Sequence, residues 1–303
     1  MDEQIEQKCI KVGKIASQVR REGAARMKTG TSYLEVMDFC EKRIIELGGK
    51  VAWAQMAIND TAAHFCPEDD EKGTFQEGDL VKIDIGVHED GYIADNAMTV
   101  EVGSITKHNQ DLIKASQNSL KAAIKLVRPG VQLWELGEAQ HSEAEKAGFK
   151  IIRNLSGHTI ERYRVHGGIS IPTYNNKDKT ELKEGTQIAI EPFITDGTGL
   201  IKEKGNPTIF MLNSSRMPRS LYARKVLDFV KPFNGLPFTT RWLTRAIPKS
   251  QAQLGLRELL KEDIIRGYPP LPEVAGGRVA QFEHSMIVKD KTVVYTRHAD
   301  DTW

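Results

Sequence analysis

Glu77-Gly78-Asp79-Leu80-Val81-Lys82-Ile83-Asp84 and Glu184-Gly185-Thr186-Gln187-Ile188-Ala189-Ile190-Glu191 are the two stretches on which the fold turns. Each opens on Glu-Gly, runs into residues of strand character and ends on an acid, at an offset of 107 positions. Further matches precede them in the same order. Lys28-Thr29-Gly30-Thr31 and Arg128-Pro129-Gly130-Val131 each follow one helical pattern and open another, while Glu35, Gly48 and Lys50 recur 100 positions later as Glu135, Gly148 and Lys150. Two copies do not make a solenoid. They predict two related α/β halves packed about a pseudo-two-fold axis, with the small drift in offset absorbed by loops.

The expected order in each half is helix, Gly turn, helix, then strands. Apolar positions at helical spacing cover 5–27 and 32–47, with Gly48-Gly49 as a stop signal. Residues 81–87 alternate as a strand, His88-Glu89-Asp90-Gly91 turns the chain, and 92–102 runs back beside it. In the second half, 107–127 and 132–147 are expected helices, with strands at 186–194, 279–288 and 292–296. Between Gly205-Asn206-Pro207 and Pro269-Pro270-Leu271-Pro272 the texture changes, with helical patterns at 221–230 and 251–265. Residues 211–266 hold 11 Lys/Arg against 4 Asp/Glu in a chain whose net charge is only +1. About 207–272 is therefore expected to be a helical subdomain inserted into a single domain spanning 1–303.

Composition narrows the function. An apolar content of 40% with net charge +1 excludes a disordered chain, and no run approaches the roughly 20 apolar residues of a membrane helix. The acidic start Met1-Asp2-Glu3-Gln4-Ile5-Glu6 is unlike a secretory signal, and Cys9, Cys40 and Cys66 are too few and too scattered for a disulfide framework. The expectation is a cytoplasmic protein.

The chemistry gathers on acids inside apolar strands. If Glu89-Asp90 is the hairpin tip, Asp84 faces Asp95 directly; if Asp90-Gly91 is the tip, Asp95 faces Gly86 and lies diagonal to Asp84. Either register puts both carboxylates on one sheet face, where they repel unless a cation sits between them or one takes a proton. The alternative is an exposed pair on a solvated face. The repeat places Glu191 on the counterpart of Asp84, Glu283 is a further acid within a strand, and His158 offers a nitrogen. Together these make an oxygen-rich set suited to two divalent cations.

Lys82-Ile83-Asp84-Ile85-Gly86-Val87-His88, Gly91-Tyr92-Ile93-Ala94-Asp95, Asn154-Leu155-Ser156-Gly157-His158, Ala189-Ile190-Glu191-Pro192-Phe193 and Ala280-Gln281-Phe282-Glu283-His284 resemble, nearly end to end and in order, methionine aminopeptidase type II in its short archaeal form. The resemblance implies the pita-bread fold, two pseudo-symmetric halves around a dinuclear metal site, and two divalent ions (Co, Mn, Fe, Ni or Zn). It implies Asp84, Asp95, His158, Glu191 and Glu283 as metal ligands, with Asp95 and Glu283 bridging, and Glu191 also as the proton relay. His64, in Ala62-Ala63-His64-Phe65, would contact the scissile peptide and stabilise the tetrahedral intermediate, and His166, in Val165-His166-Gly167-Gly168, would contact the substrate carbonyl. His88 and His284 are expected to be structural.

The chain departs from the family where the usual Phe-Pro falls on Ala52-Trp53, so that Trp53 takes over that wall of the methionine pocket, and where Phe65-Cys66 replaces Tyr-Thr. Cys66 is expected to be an inert packing residue. The activity implied is removal of N-terminal methionine from nascent polypeptides when the second residue is small, by a monomer. A proline-directed peptidase of the same fold ranks lower. The alternative of another class is a catalytically inactive binding module, in which Arg216, Arg219, Arg224, Lys225, Arg241 and Arg245 of the basic stretch meet ribosomal RNA. A plain solvated helical face explains those charges equally.

Overall fold

The computed structural model describes residues 2–299 and 301. Met1, Asp300, Thr302 and Trp303, which belong to the expected span 1–303, lie outside the described residues. Helix α1 (Glu3–Ala24) starts at Asp2, whose carboxylate accepts from the Gln4 N–H at 2.8 Å. Its Val12, Ile15 and Val19 recur at helical spacing and are buried, each contributing roughly 1.5–3 kcal/mol through lost contact with water. They pack, with α2 (Tyr33–Glu46), against one face of an antiparallel sheet ordered β1 (Lys50–Ile58), β2 (Leu80–Glu89), β3 (Tyr92–Glu101).

The second half repeats this plan. Helices α3 (Lys107–Leu126) and α4 (Leu133–Lys146) precede β4 (Lys150–Ile151), β5 (Gly157–Ile160), β6 (Ser170–Ile171), β7 (Gln187–Ile190) and β8 (Phe193–Thr195). Helices α2 and α4 are both 14 residues long and start 100 positions apart. After an excursion come β12 (Val279–Gln281), β13 (His284–Ile287) and β14 (Val293–Val294). The neighbours β5-β7-β13 and β4-β8-β12 reproduce the order β1-β2-β3, in two sheets instead of one.

That division is the main departure from the expected strands. The stretches 186–194 and 279–288 each break in two, at Glu191-Pro192 and at Phe282-Glu283. Pro192 has no N–H to give the ladder, so pairing stops there. The register survives the break: His284 stands opposite Ile190 and Gln281 opposite Phe193, so Glu283 falls opposite Glu191.

The excursion contains β9 (Ile209–Leu212), α5 (Leu221–Val230), β10 (Phe238–Thr239), α6 (Thr240–Ala246), α7 (Lys249–Lys261) and β11 (Ile265–Tyr268). It carries a small sheet, β10-β9-β11, besides its helices, and the helical pattern over 251–265 ends at Lys261, where Asp263 at φ +53° turns the chain into β11. Its own apolar cluster includes Phe210, Val226, Leu227, Phe238 and Leu259. The insert meets the first half through paired charges. Arg241, almost fully buried, donates to Pro67 O at 2.9 Å and pairs with Glu41, while Arg245 spans Asp38 at 2.8 Å and Asp69 at 2.7 Å. Two of the six cations considered for RNA are thus paired with acids of the first half, because they face α2 and the 66–70 loop.

At the neck of the insert, Glu273 accepts from the N–H groups of Thr198 (2.6 Å), Gly199 (3.2 Å), Ala275 (2.7 Å) and Gly277 (3.0 Å). Burial pushes this carboxyl up, but the hydrogen bonds outweigh it and hold the group down at about 2. Among the described residues no helix is long and apolar enough to cross a membrane.

Candidate metal centre

The hairpin turn settles the first pair of acids. Asp90 (φ +51°) and Gly91 (φ +86°) form the tip, a left-handed pair suited to a two-residue hairpin, and Glu89 stands opposite Tyr92. Gly86 therefore stands opposite Asp95, and Asp84 lies diagonal to it on the same face. Both carboxyls are buried.

The broken strands of the second half bring the other acids to that face. The seam between the halves runs along β3. The Ser285 hydroxyl accepts from Asp95 N at 3.0 Å and donates to Asp95 O at 2.8 Å. Thr99 Oγ1 accepts from Gln281 N at 2.7 Å and donates to Gln281 O at 2.8 Å, and Glu283 N donates to Ala97 O at 3.1 Å. Glu283 is thereby set beside Asp95. His158, on β5 opposite Ala189, holds its Nε2 3.5 Å from Asp95 Oδ2 and 3.7 Å from Glu191 Oε1. One ligand atom each from Asp95, His158 and Glu283 lies within 4.8 Å of the others.

The polar atoms here are unmet. Among the described residues, buried Asp95 Oδ1 and both carboxyl oxygens of Glu283 have no hydrogen-bond partner. Burial pushes Asp84 up to about 8, with the charge of Asp95 adding to it, and pushes Asp95 up to about 7. Glu191 and Glu283 are raised well above the usual carboxylate range by burial and by their acidic neighbours. Burial also lowers His158 to about 4, leaving a neutral imidazole with a lone pair to offer. Four carboxyls and a neutral imidazole in one apolar site either hold protons or surround cations.

A cavity of about 350 Å³ opens on this cluster. His64 lines it from a left-handed backbone position (φ +68°), with its ring 5.5 Å from that of Tyr268. His166 lines it too, its ring 4.7 Å from that of His158. The fold thus brings together all seven of the side chains picked out from the sequence. His88 and His284 stand apart: His88 Nδ1 accepts from Gly91 N at 3.3 Å, and His284 Nδ1 lies 2.9 Å from Thr296 Oγ1. Cys66 is buried with its thiol pushed up to about 12, so it stays protonated.

Three residues were not assigned from the sequence as partners of these acids. Trp53 Nε1 and Gln55 Nε2 each donate to Asp84 at 2.7 Å, and Gln281 Nε2 donates to Glu191 at 3.2 Å. Gln281 stands two residues before Glu283 in a quoted motif, which was a usable signal; Trp53 and Gln55 reach Asp84 only through the pairing of β1 with β2.

Residues 7–290 match the family model for metallopeptidase family M24. The chain belongs to this family. A methionine aminopeptidase of Thermococcus onnurineus (strain NA1) is 46% identical over 290 residues, 95% of this chain and 97% of that protein. Among solved structures, a thermophilic Arx1 matches with a TM-score of 0.89 at 16% identity, covering 99% of this chain and 93% of that one. The methionine aminopeptidase of Thermotoga maritima matches at 0.73 and 21%, covering 98% of each. The two halves and their shared seam are the pita-bread fold of the family.

Proposed function

We propose that this chain is a metal-dependent aminopeptidase that removes the N-terminal methionine of nascent polypeptides when the second residue is small. The observation that carries the reading is the cluster of buried Asp84, Asp95, His158 and Glu283 with the partly exposed Glu191 at the floor of the cavity, three of its oxygens lacking a hydrogen-bond partner among the described residues. Such a donor set fits hard or borderline divalent cations. Asp84, Asp95, His158, Glu191 and Glu283 would hold two such ions. When bound, the ions supply an acidified water and polarise a carbonyl. An inactive binding module has no use for four acids in this arrangement.

The protein's own groups do the remaining work. Glu191, held through one oxygen by Gln281, is placed to take a proton and return it to the leaving amine. His64, from its strained backbone position, aims its ring into the cavity to meet the scissile peptide, and His166 meets the substrate carbonyl. A tight site beside the scissile bond excludes bulky second residues. The enzyme acts in the cytoplasm as a monomer, and the exposed Arg216, Arg219, Arg224 and Lys225 form the face through which the insert approaches the ribosome.

The test is methionine release from Met-Ala-Ser by metal-stripped protein, with and without added cobalt or manganese, beside a Glu191→Gln control. Metal-dependent release that disappears in the control is expected. Absence of release from folded protein with every divalent ion tried would overturn the reading.

A further inference from the structure

Asp84 differs from the other acids of the cluster. Asp95 Oδ1 and both oxygens of Glu283 are unpartnered, whereas each oxygen of Asp84 already receives a hydrogen bond, from Trp53 on one side and Gln55 on the other. The origin of this difference lies in β1. Val51 stands opposite Val87 but Trp53 opposite Gly86, so Ala52 is an extra residue, a bulge. A bulge changes which face the following residues occupy. Here it turns Trp53 and Gln55 onto the face that bears Asp84. Room for the indole comes from Gly86, where a Cβ would lie 2.2 Å from the Trp53 ring. The ring is 5% exposed and packs with Ile93 of the first half, Ile160 and Val165 of the second, and Leu236 of the insert. It also lines the cavity, next to Met211.

We propose that Trp53 is the positioning residue for Asp84: the ring expected from the sequence to wall the methionine pocket also holds a cation ligand through its N–H, so that one residue couples cation binding to side-chain recognition. The inference deepens the metal-centre reading and rests on it. An indole N–H is a donor only, so it cannot flip to an accepting state as an amide can, and it holds Asp84 Oδ1 in place while Gln55 holds Oδ2. A thioether beside an aromatic ring makes a favourable contact, which suits methionine as the first residue. Trp53 touches a ligand and the substrate's side chain; it takes no part in proton transfer.

Two readouts test this, neither of them turnover alone. The first uses the wild-type protein. Of the described tryptophans only Trp53 lines the cavity, since Trp134 and Trp242 bond to Gln132 and Glu41 elsewhere. Titration of metal-stripped protein with Co²⁺ should quench tryptophan emission saturably, in step with binding followed by calorimetry. The second uses Trp53→Phe, which keeps a ring and removes the donor. Its affinity for Mn²⁺ should fall about tenfold and the Co²⁺ quench should disappear, whereas Trp53→Ala, which removes the ring as well, should in addition raise KM for Met-Ala-Ser at saturating metal. Calorimetric binding with silent emission in the wild type, or a Trp53→Phe variant with unchanged Mn²⁺ affinity, would overturn the inference and leave the metal centre standing. Absence of calorimetric binding in the wild type would overturn both.

Discussion

The two halves are built to one plan and differ in how their central strands are joined. In the first, β2 and β3 are continuous ten-residue strands linked by a two-residue turn. In the second, their counterparts are each cut in two, and residues 196–278 intervene between them. The first half is thus a rigid frame whose acids, Asp84 and Asp95, are set by an unbroken ladder. The second places Glu191 and Glu283 at the breaks, where the chain passes from one sheet to another. A pseudo-symmetric fold can in this way put acids of different character on the two sides of one site. Those of the frame have fixed backbones, and those of the broken strands stand where the ladder offers no pairing.

The largest expected effect tests the chemical side of this contrast. Glu191→Gln at saturating Mn²⁺ should lower the turnover of Met-Ala-Ser by about 10²–10⁴-fold, the usual share of a general acid–base group. Turnover within a factor of two would remove the special role assigned to the second half. Next comes the attachment of the insert to the frame. Arg241→Ala removes the cation paired with Glu41, which is itself mostly buried and keeps only the Trp242 N–H, and should cost about 3–5 kcal/mol in urea denaturation. A loss below 1 kcal/mol would mean that the insert docks without that pair.

A somewhat smaller effect is expected at the seam. Both halves contribute carboxyls to the cluster, so a cation there binds only the assembled fold. Mn²⁺ at a hundredfold excess over its Kd should add about 2.7 kcal/mol of stability by calorimetry. No rise in melting temperature would separate the halves energetically.

At the neck, the sign of the pH effect follows from a lowered carboxyl. Glu273 is held at about 2 in the folded chain against an ordinary 4.5, so its contribution is fully present above 4.5 and is lost as pH falls from 4.5 towards 2. Glu273→Gln should flatten that part of the melting-temperature profile, and parallel profiles would discount the neck. The smallest effect belongs to Lys249→Ala. The Lys249–Asp70 pair is exposed on both sides, and its loss should leave the urea midpoint almost where it was, in contrast to Arg241 in the same interface.

Much of this was legible in the sequence because it is local. The four long helices followed from apolar spacing, and the hairpin followed from the turn residues His88-Glu89-Asp90-Gly91, while the choice of Asp90-Gly91 as its tip waited on their φ values. Placement of Asp84 and Asp95 on one face needed nothing beyond strand alternation. The breaks at Glu191 and Glu283 were less legible. Apolar residues continue on both sides of each, so periodicity runs straight through; Pro192 was a usable signal for the first gap, and only pairing with a distant strand reveals the second. Arg241 and Arg245 looked like free cations because their partners, Glu41, Asp38 and Asp69, lie some 170 or more positions away. The bond from Trp53 to Asp84 depends on a bulge, and a single extra residue in a strand leaves no mark on composition.

The hairpin and the split pair also differ in when they can form. A two-residue turn closes in microseconds, so β2 and β3 can pair as soon as the chain carries them. Strands β8 and β12 must first bring together segments separated by the whole insert, with a loop-closure entropy that grows by about 0.6 kcal/mol for each doubling of length. Glu273 clasps Thr198 and Gly199 across the neck, and forming that clasp first would close most of the loop before the strands pair. Pulse-labelling hydrogen exchange should therefore find β2 and β3 protected first and β8 and β12 after the neck has closed. Two halves that match in the finished molecule would then be early and late events in its making.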